Sequence, residues 1–174
     1  GVSMVLYVLL IALLVFRGLG AVGVSRFASW RAAAAHALAL MLVLTASAHF
    51  VPGDVTAMPN HDDLVAMVPP GVPFPSAAVY LTGVLELLGA VGLVIAATRR
   101  WAGLCLALLF VVMLPANVYA ALEGIELAGD PASPLWQRVP EQILYIAVAL
   151  WAASGRSSKP TTPVPLPDMA ARSS

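Results

Sequence analysis

Five long apolar runs decide what this chain can fold into, at approximately residues 2–22, 32–50, 76–98, 101–122 and 138–153. The hydrocarbon core of a bilayer is about 30 Å thick, and a helix crosses it with roughly 20 mostly apolar residues. Charged side chains make up 10% of the 174 residues, against roughly 25% in a soluble domain. A mean hydropathy of +0.90 does not describe a water-soluble fold. The expected fold class is therefore all-α, an integral membrane helical bundle over residues 1–153.

The ends of two runs need their own account. Arg17 lies near the end of the first, where its long side chain can snorkel toward the headgroups. A secretory signal peptide is the competing reading of that run; the missing positive n-region and cleavage site favour a spanning helix. The last run carries Arg138, Pro140, Glu141 and Gln142 in its first turn, which suits a helix that begins at the interface with proline near its start. Its apolar part, 143–151, is short, so tilt or burial in the bundle must supply the remaining length.

Charge orients the runs. Of the 9 basic residues, Arg17, Arg26, Arg31, Arg99, Arg100, Arg156, Lys159 and Arg172 fall on one side, and Arg138 is the exception. Asp54, Asp62, Asp63, Glu123, Glu126 and Asp130 fall in the two opposite loops. The positive-inside rule then places the N-terminus outside and the C-terminus in the cytoplasm, in the inner membrane of a cell with one. Formal charge sums to zero, so nothing favours nucleic acid, whose binding rests on clustered Lys and Arg. A single cysteine, Cys105, excludes an internal disulfide, a CxxC pair and a cysteine-based zinc site.

The outer loop 51–75 holds six of the 14 prolines and cannot be one continuous helix. Within it Asn60 can cap a short helix through Asp62, Asp63, Leu64 and Val68 whose apolar side covers the bundle end or rests on the membrane. Residues 154–174 lose apolar periodicity, with four prolines between Pro160 and Pro167, and read as a disordered cytoplasmic tail.

Charge at lipid depth is costly and needs a partner, a cavity or a task. Glu86 is the one acid well inside an apolar run, and Gly83, Gly89 or Ala90, and Leu93 share its helix face. Small residues there admit a neighbouring helix, so Glu86 is expected to point into the bundle. His49, Tyr80, Asn117, Arg138 and Gln142 gather toward the outer leaflet on four helices, with Arg138, Gln142 and Tyr145 on one face and Glu141 placed to pair with Arg138. Pro115 removes a donor near Asn117 and is expected to bend that wall. The candidate ligand-binding set is His49, Tyr80, Glu86, Asn117, Arg138 and Gln142, lining a small polar pocket that opens outward. His36 lacks comparable company and reads as a packing residue, and Cys105 as an inert small apolar one. His61 beside Asp62 and Asp63 does not assemble three metal ligands, so no metal site is expected.

Several of these segments resemble the DoxX-like family of membrane proteins: Ala48-His49-Phe50, Met67-Val68-Pro69-Pro70 with Pro73 and Pro75, Tyr80 through Gly89, Thr98-Arg99-Arg100, Pro115-Ala116-Asn117-Val118-Tyr119, and Arg138-Val139-Pro140-Glu141-Gln142. The resemblance covers roughly 32–151 and implies a four-helix unit, preceded here by one additional N-terminal transmembrane helix. It also implies an association with quinone-linked redox systems. This chain has no cysteine pair, no haem histidine pair across facing helices, and no flavin or nicotinamide fingerprint. An autonomous redox enzyme is not expected, because that chemistry needs a cofactor. The expectation is an accessory or ligand-binding subunit that holds a small lipophilic ligand such as a quinone for a membrane redox enzyme, with the lipid bilayer as its other partner. The alternative is a non-enzymatic membrane scaffold or assembly factor. A transporter is weaker, since no inverted repeat is evident.

Overall fold

The computed structural model describes residues 3–155, and the expected tail lies almost wholly outside them. Six α-helices and one small hairpin follow in the order α1 (Met4–Ala21), a short 3-10 turn (Ser25–Phe27), α2 (Trp30–Ser47), α3 (His61–Ala66), α4 (Pro75–Val94), α5 (Arg99–Glu123), β1 (Glu126–Leu127), β2 (Asp130–Pro131) and α6 (Leu135–Ala153). The architecture is all-α.

Hydroxyl caps start the first two long helices. Ser3 accepts from the Leu6 amide at 3.2 Å and Ser29 from the Ala32 amide at 3.1 Å, each satisfying a donor that the helix leaves free. Three boundaries differ from the sequence reading. α2 stops at Ser47, so His49 occupies the turn beyond it. α4 stops at Val94, short of the expected Thr98, because side chains take its last carbonyls: Thr98 Oγ1 donates to Gly92 O at 2.9 Å and Arg99 Nε to Leu93 O at 2.7 Å. α6 begins at Leu135, after Pro134 at its cap, so Arg138 closes its first turn and Pro140, Glu141 and Gln142 move from the first turn to its interior.

α2 is the centre of the packing, touching α1, α4 and α6. Ten of its residues are buried, six of them alanines, and small side chains let neighbouring backbones come close. α4 packs on α2 and α5, α5 on α6, and α6 returns to α2, which closes a four-helix ring with α1 against its outside. Leu38, Leu42, Leu93 and Leu106 fill the interior. At Gly103 a Cβ would stand 2.5 Å from Ala149 O, so the α5–α6 contact requires glycine there.

The outward faces are apolar. Leu14, Leu88, Leu108 and Val112 are each more than 60% exposed, a surface that a water-soluble monomer rarely presents over such an extent. Four helices, α1, α2, α4 and α5, are long and apolar enough to cross a bilayer. α6 has 19 residues but carries Gln137, Arg138, Glu141 and Gln142 in its first half, and it is not among the four.

The connections meet at opposite ends. At one end Arg26 Nη2 donates to Val94 O at 2.9 Å, joining the α1–α2 turn to the end of α4. At the other, Asp63 Oδ2 accepts from the Ala128 amide at 3.0 Å, joining α3 to the hairpin. Asn60 and Asp63 form a reciprocal capping box at α3, as the sequence led one to expect of Asn60.

Candidate functional site

His49 and Glu86 meet inside the ring. The turn after α2 places His49 against α4, where Gly83 makes room: a Cβ at Gly83 would stand 2.5 Å from His49 Cβ. The face of α4 formed by Gly83, Glu86, Gly89, Ala90 and Leu93 is the buried one, so Glu86 points inward as expected. His49 Nε2 lies 3.7 Å from Glu86 Oε1, and both residues are about 95% buried, at 5% and 4% exposure. Glu86 Oε2 has no hydrogen-bond partner among the described residues.

The ring of His49 is held from its other nitrogen. Nδ1 lies 2.7 Å from Val79 O and 3.3 Å from Thr82 Oγ1, and a carbonyl accepts only from an N–H, so Nδ1 carries a proton. Nε2 of that tautomer offers a lone pair to Glu86. A carboxylate oxygen also offers a lone pair, so the contact becomes favourable when one proton lies between them. At 3.7 Å the contact is longer than a hydrogen bond, so the pair is a buried imidazole and carboxyl group set side by side.

The other expected residues are placed as follows. Tyr80 is half-exposed at the bundle end and stacks on His61 with ring centroids 4.0 Å apart. Asn117 Nδ2 donates to Gln142 Oε1 at 3.4 Å, and Gln142 Nε2 donates to Phe110 O at 2.8 Å. That contact ties α5 to α6 beside Pro115, which sits inside α5 without ending it. Arg138 does not pair with Glu141: among the described residues His49–Glu86 is the one contact of that kind within 4 Å. Direct contacts therefore join two pairs, His49–Glu86 and Asn117–Gln142, while Tyr80, on α4, stacks on His61 of α3, the short helix of the outer loop. Arg138 Nε and Tyr145 OH are buried without a hydrogen-bond partner among the described residues.

Glu141 is occupied elsewhere. It accepts from Gln137 Nε2 at 3.0 Å, Ser3 Oγ at 2.9 Å and the Ser3 amide at 3.3 Å, which fastens the start of α1 to α6. His61, weighed in the sequence only as a metal ligand, is a lid residue: Nδ1 donates to His49 O at 2.8 Å and Ser76 Oγ donates to Nε2 at 2.8 Å. His36 has more company than expected. Arg26 Nε donates to its Nε2 at 3.0 Å, and Phe27 meets it edge-on at 4.8 Å. No group of three metal-binding side chains occurs among the described residues, and Cys105 is exposed on α5.

A separate apolar groove of about 370 Å³ runs between α1 and α6 over Ala34 of α2, walled by Leu9, Leu10, Leu13, Leu144, Val148 and Trp151.

The model of one protein family, described as a domain of unknown function (DUF8561), matches residues 38–153, from the middle of α2 to the end of α6. No curated protein and no solved structure matches the chain.

Proposed function

For a chain that belongs to the DUF8561 family, we propose the role of a five-span, DoxX-like membrane subunit that holds a small lipophilic ligand, a quinone by chemical type, for a membrane redox partner. The observation that carries this reading is the buried His49–Glu86 pair, 3.7 Å apart, with Glu86 Oε2 unpartnered among the described residues. A quinone offers carbonyl oxygens that accept hydrogen bonds, and a buried carboxyl group protonated at Glu86 Oε2 is a donor for them that brings no net charge into hydrocarbon. Arg138 Nε and Tyr145 OH, on α6, are two further buried donors without partners among the described residues. The resemblance to DoxX-like proteins points the same way. Electrons, where they flow, belong to the partner.

The test is binding by the purified chain. The protein is extracted in detergent, its co-purified isoprenoid quinones are quantified by mass spectrometry, and a short-chain benzoquinone is titrated into stripped protein. Wild type is expected to bind it, and Glu86→Gln to lose about tenfold or more in affinity, the effect of one charge-assisted bond, while keeping its helical circular dichroism. Equal binding by Glu86→Gln overturns the site assignment. Absence of quinone together with a stoichiometric non-redox membrane client overturns the function in favour of a scaffold.

A further inference from the structure

A groove bordered by arginines lies at the opposite end of the bundle. Between α5 and α6 a groove of about 270 Å³ is lined by Arg100, Leu104, Leu150, Ala153, Ser154 and Gly155. The guanidinium of Arg31, at the start of α2, packs on Gly155: a Cβ there would stand 2.5 Å from Arg31 Cζ, so the absence of a side chain admits the cation to the groove mouth. Two cations thus flank one opening.

The neighbouring arginines are engaged. Arg26 bonds His36 and Val94 O, and Arg99 bonds Leu93 O. Arg31 and Arg100 have no carboxylate within 4 Å among the described residues, and Arg100 Cζ lies 5.9 Å from the centre of the Trp101 ring. Of the nine acids, the six loop acids lie in the segments of the other end, Glu86 is inside the ring, Glu141 is bound to Ser3 and Asp168 lies outside the described residues. Two guanidinium groups that border one groove at a low-dielectric boundary, with no carboxylate beside them among the described residues, attract an anion.

We propose that this groove holds one anionic phospholipid of the cytoplasmic leaflet, its phosphate on Arg31 and Arg100 and one acyl chain along Leu104 and Leu150. Guanidinium forks match phosphate oxygens bidentately. Each leucine sits four residues, about 6 Å, deeper than the polar residue of its own helix, Leu104 below Arg100 and Leu150 below Ser154. The apolar side chains thus lie on the hydrocarbon side of the polar ones, where the acyl chain of a lipid whose phosphate meets the arginines would run. Zwitterionic lipids bring their own ammonium group to the same height and satisfy the arginines less well. The site rests on the membrane-spanning reading of the bundle and is independent of the quinone.

Native mass spectrometry of the full chain in detergent tests it, with phosphatidylglycerol and phosphatidylcholine of identical acyl chains added separately. One bound phosphatidylglycerol is expected, with a preference of about tenfold or more over phosphatidylcholine. The double substitution Arg31→Gln, Arg100→Gln is expected to abolish that preference, and Glu86→Gln to preserve it. Leu104→Trp keeps both cations but fills the groove, and is expected to lower phosphatidylglycerol occupancy by itself, which covers the case of a double variant that does not fold. Equal occupancy by the two lipids, or an occupancy that Leu104→Trp leaves unchanged, overturns the proposal. Displacement of the lipid by millimolar inorganic phosphate overturns it in favour of a free phosphate site.

Discussion

The three histidines are built alike and differ at one atom. In each, Nδ1 meets a backbone carbonyl: Ala32 O for His36, Val79 O for His49 and His49 O for His61, at 2.7, 2.7 and 2.8 Å. The other nitrogen of His36 accepts from Arg26 and that of His61 from Ser76, which makes both rings braces. His49 alone turns Nε2 to a carboxyl group. His36→Ala is therefore expected to lower stability by about 1–2 kcal/mol through the lost bonds, read as a lower melting temperature in detergent, with benzoquinone binding unchanged. His49→Ala is expected to impair that binding. Comparable loss of binding in both variants would place the ligand elsewhere. Glu86 was legible in the sequence because a lone acid in an apolar run has few explanations, and His49 because it stood at the end of such a run. His61 and Glu141 were not, since their partners are a carbonyl and a serine 138 residues away, and neither kind of partner leaves a pattern in the chain.

At the scale of elements, the long helices were legible from their apolar length, and α3 from Asn60 with an acid three residues on. The ends were not, because side chains of the next segment decide them, as Thr98 and Arg99 do for α4. The outer loops show the same dependence on distant contacts. Asp63 accepts from the Asn60 amide at 3.2 Å and from the Ala128 amide at 3.0 Å, so one carboxylate closes the α3 cap and pins the hairpin. Ala128 and Gly129 form its turn with φ of 53° and 82°, the left-handed pair that a two-residue hairpin turn requires. Alanine pays about 1 kcal/mol there. Asp63→Ala is expected to cost about 1–2 kcal/mol and to open both loops to protease. Ala128→Gly is expected to slow cleavage at the hairpin by removing the strain. Limited proteolysis with fragment mapping reads both; an Asp63→Ala effect confined to the α3 loop would show that the hairpin stands without it.

At the scale of the molecule, the open point is whether α6 crosses. Averaged along its length it is too polar to count with the other four, but lipid meets one face of a helix and not its average. Gln137, Glu141 and Gln142 are buried, while Ile143, Leu144, Leu150 and Trp151 stand outward. The contacts at the two ends fit five crossings: Ser3 on Glu141 sets α1 and α6 side by side in the same direction, and Arg26 on Val94 and Asp63 on Ala128 each join connections that alternate to the same end. Single cysteines in a Cys105→Ala background test this with a membrane-impermeant maleimide on intact cells. Asp54→Cys and Asp130→Cys are expected to label from outside, and Val24→Cys and Ser154→Cys only after permeabilisation. Labelling of Ser154→Cys from outside, with Val24→Cys still protected, would lay α6 on the outer surface and leave four crossings. The reverse pattern at all four positions would keep five and invert the chain, which would move the arginine end, and with it the phospholipid site, to the outer leaflet.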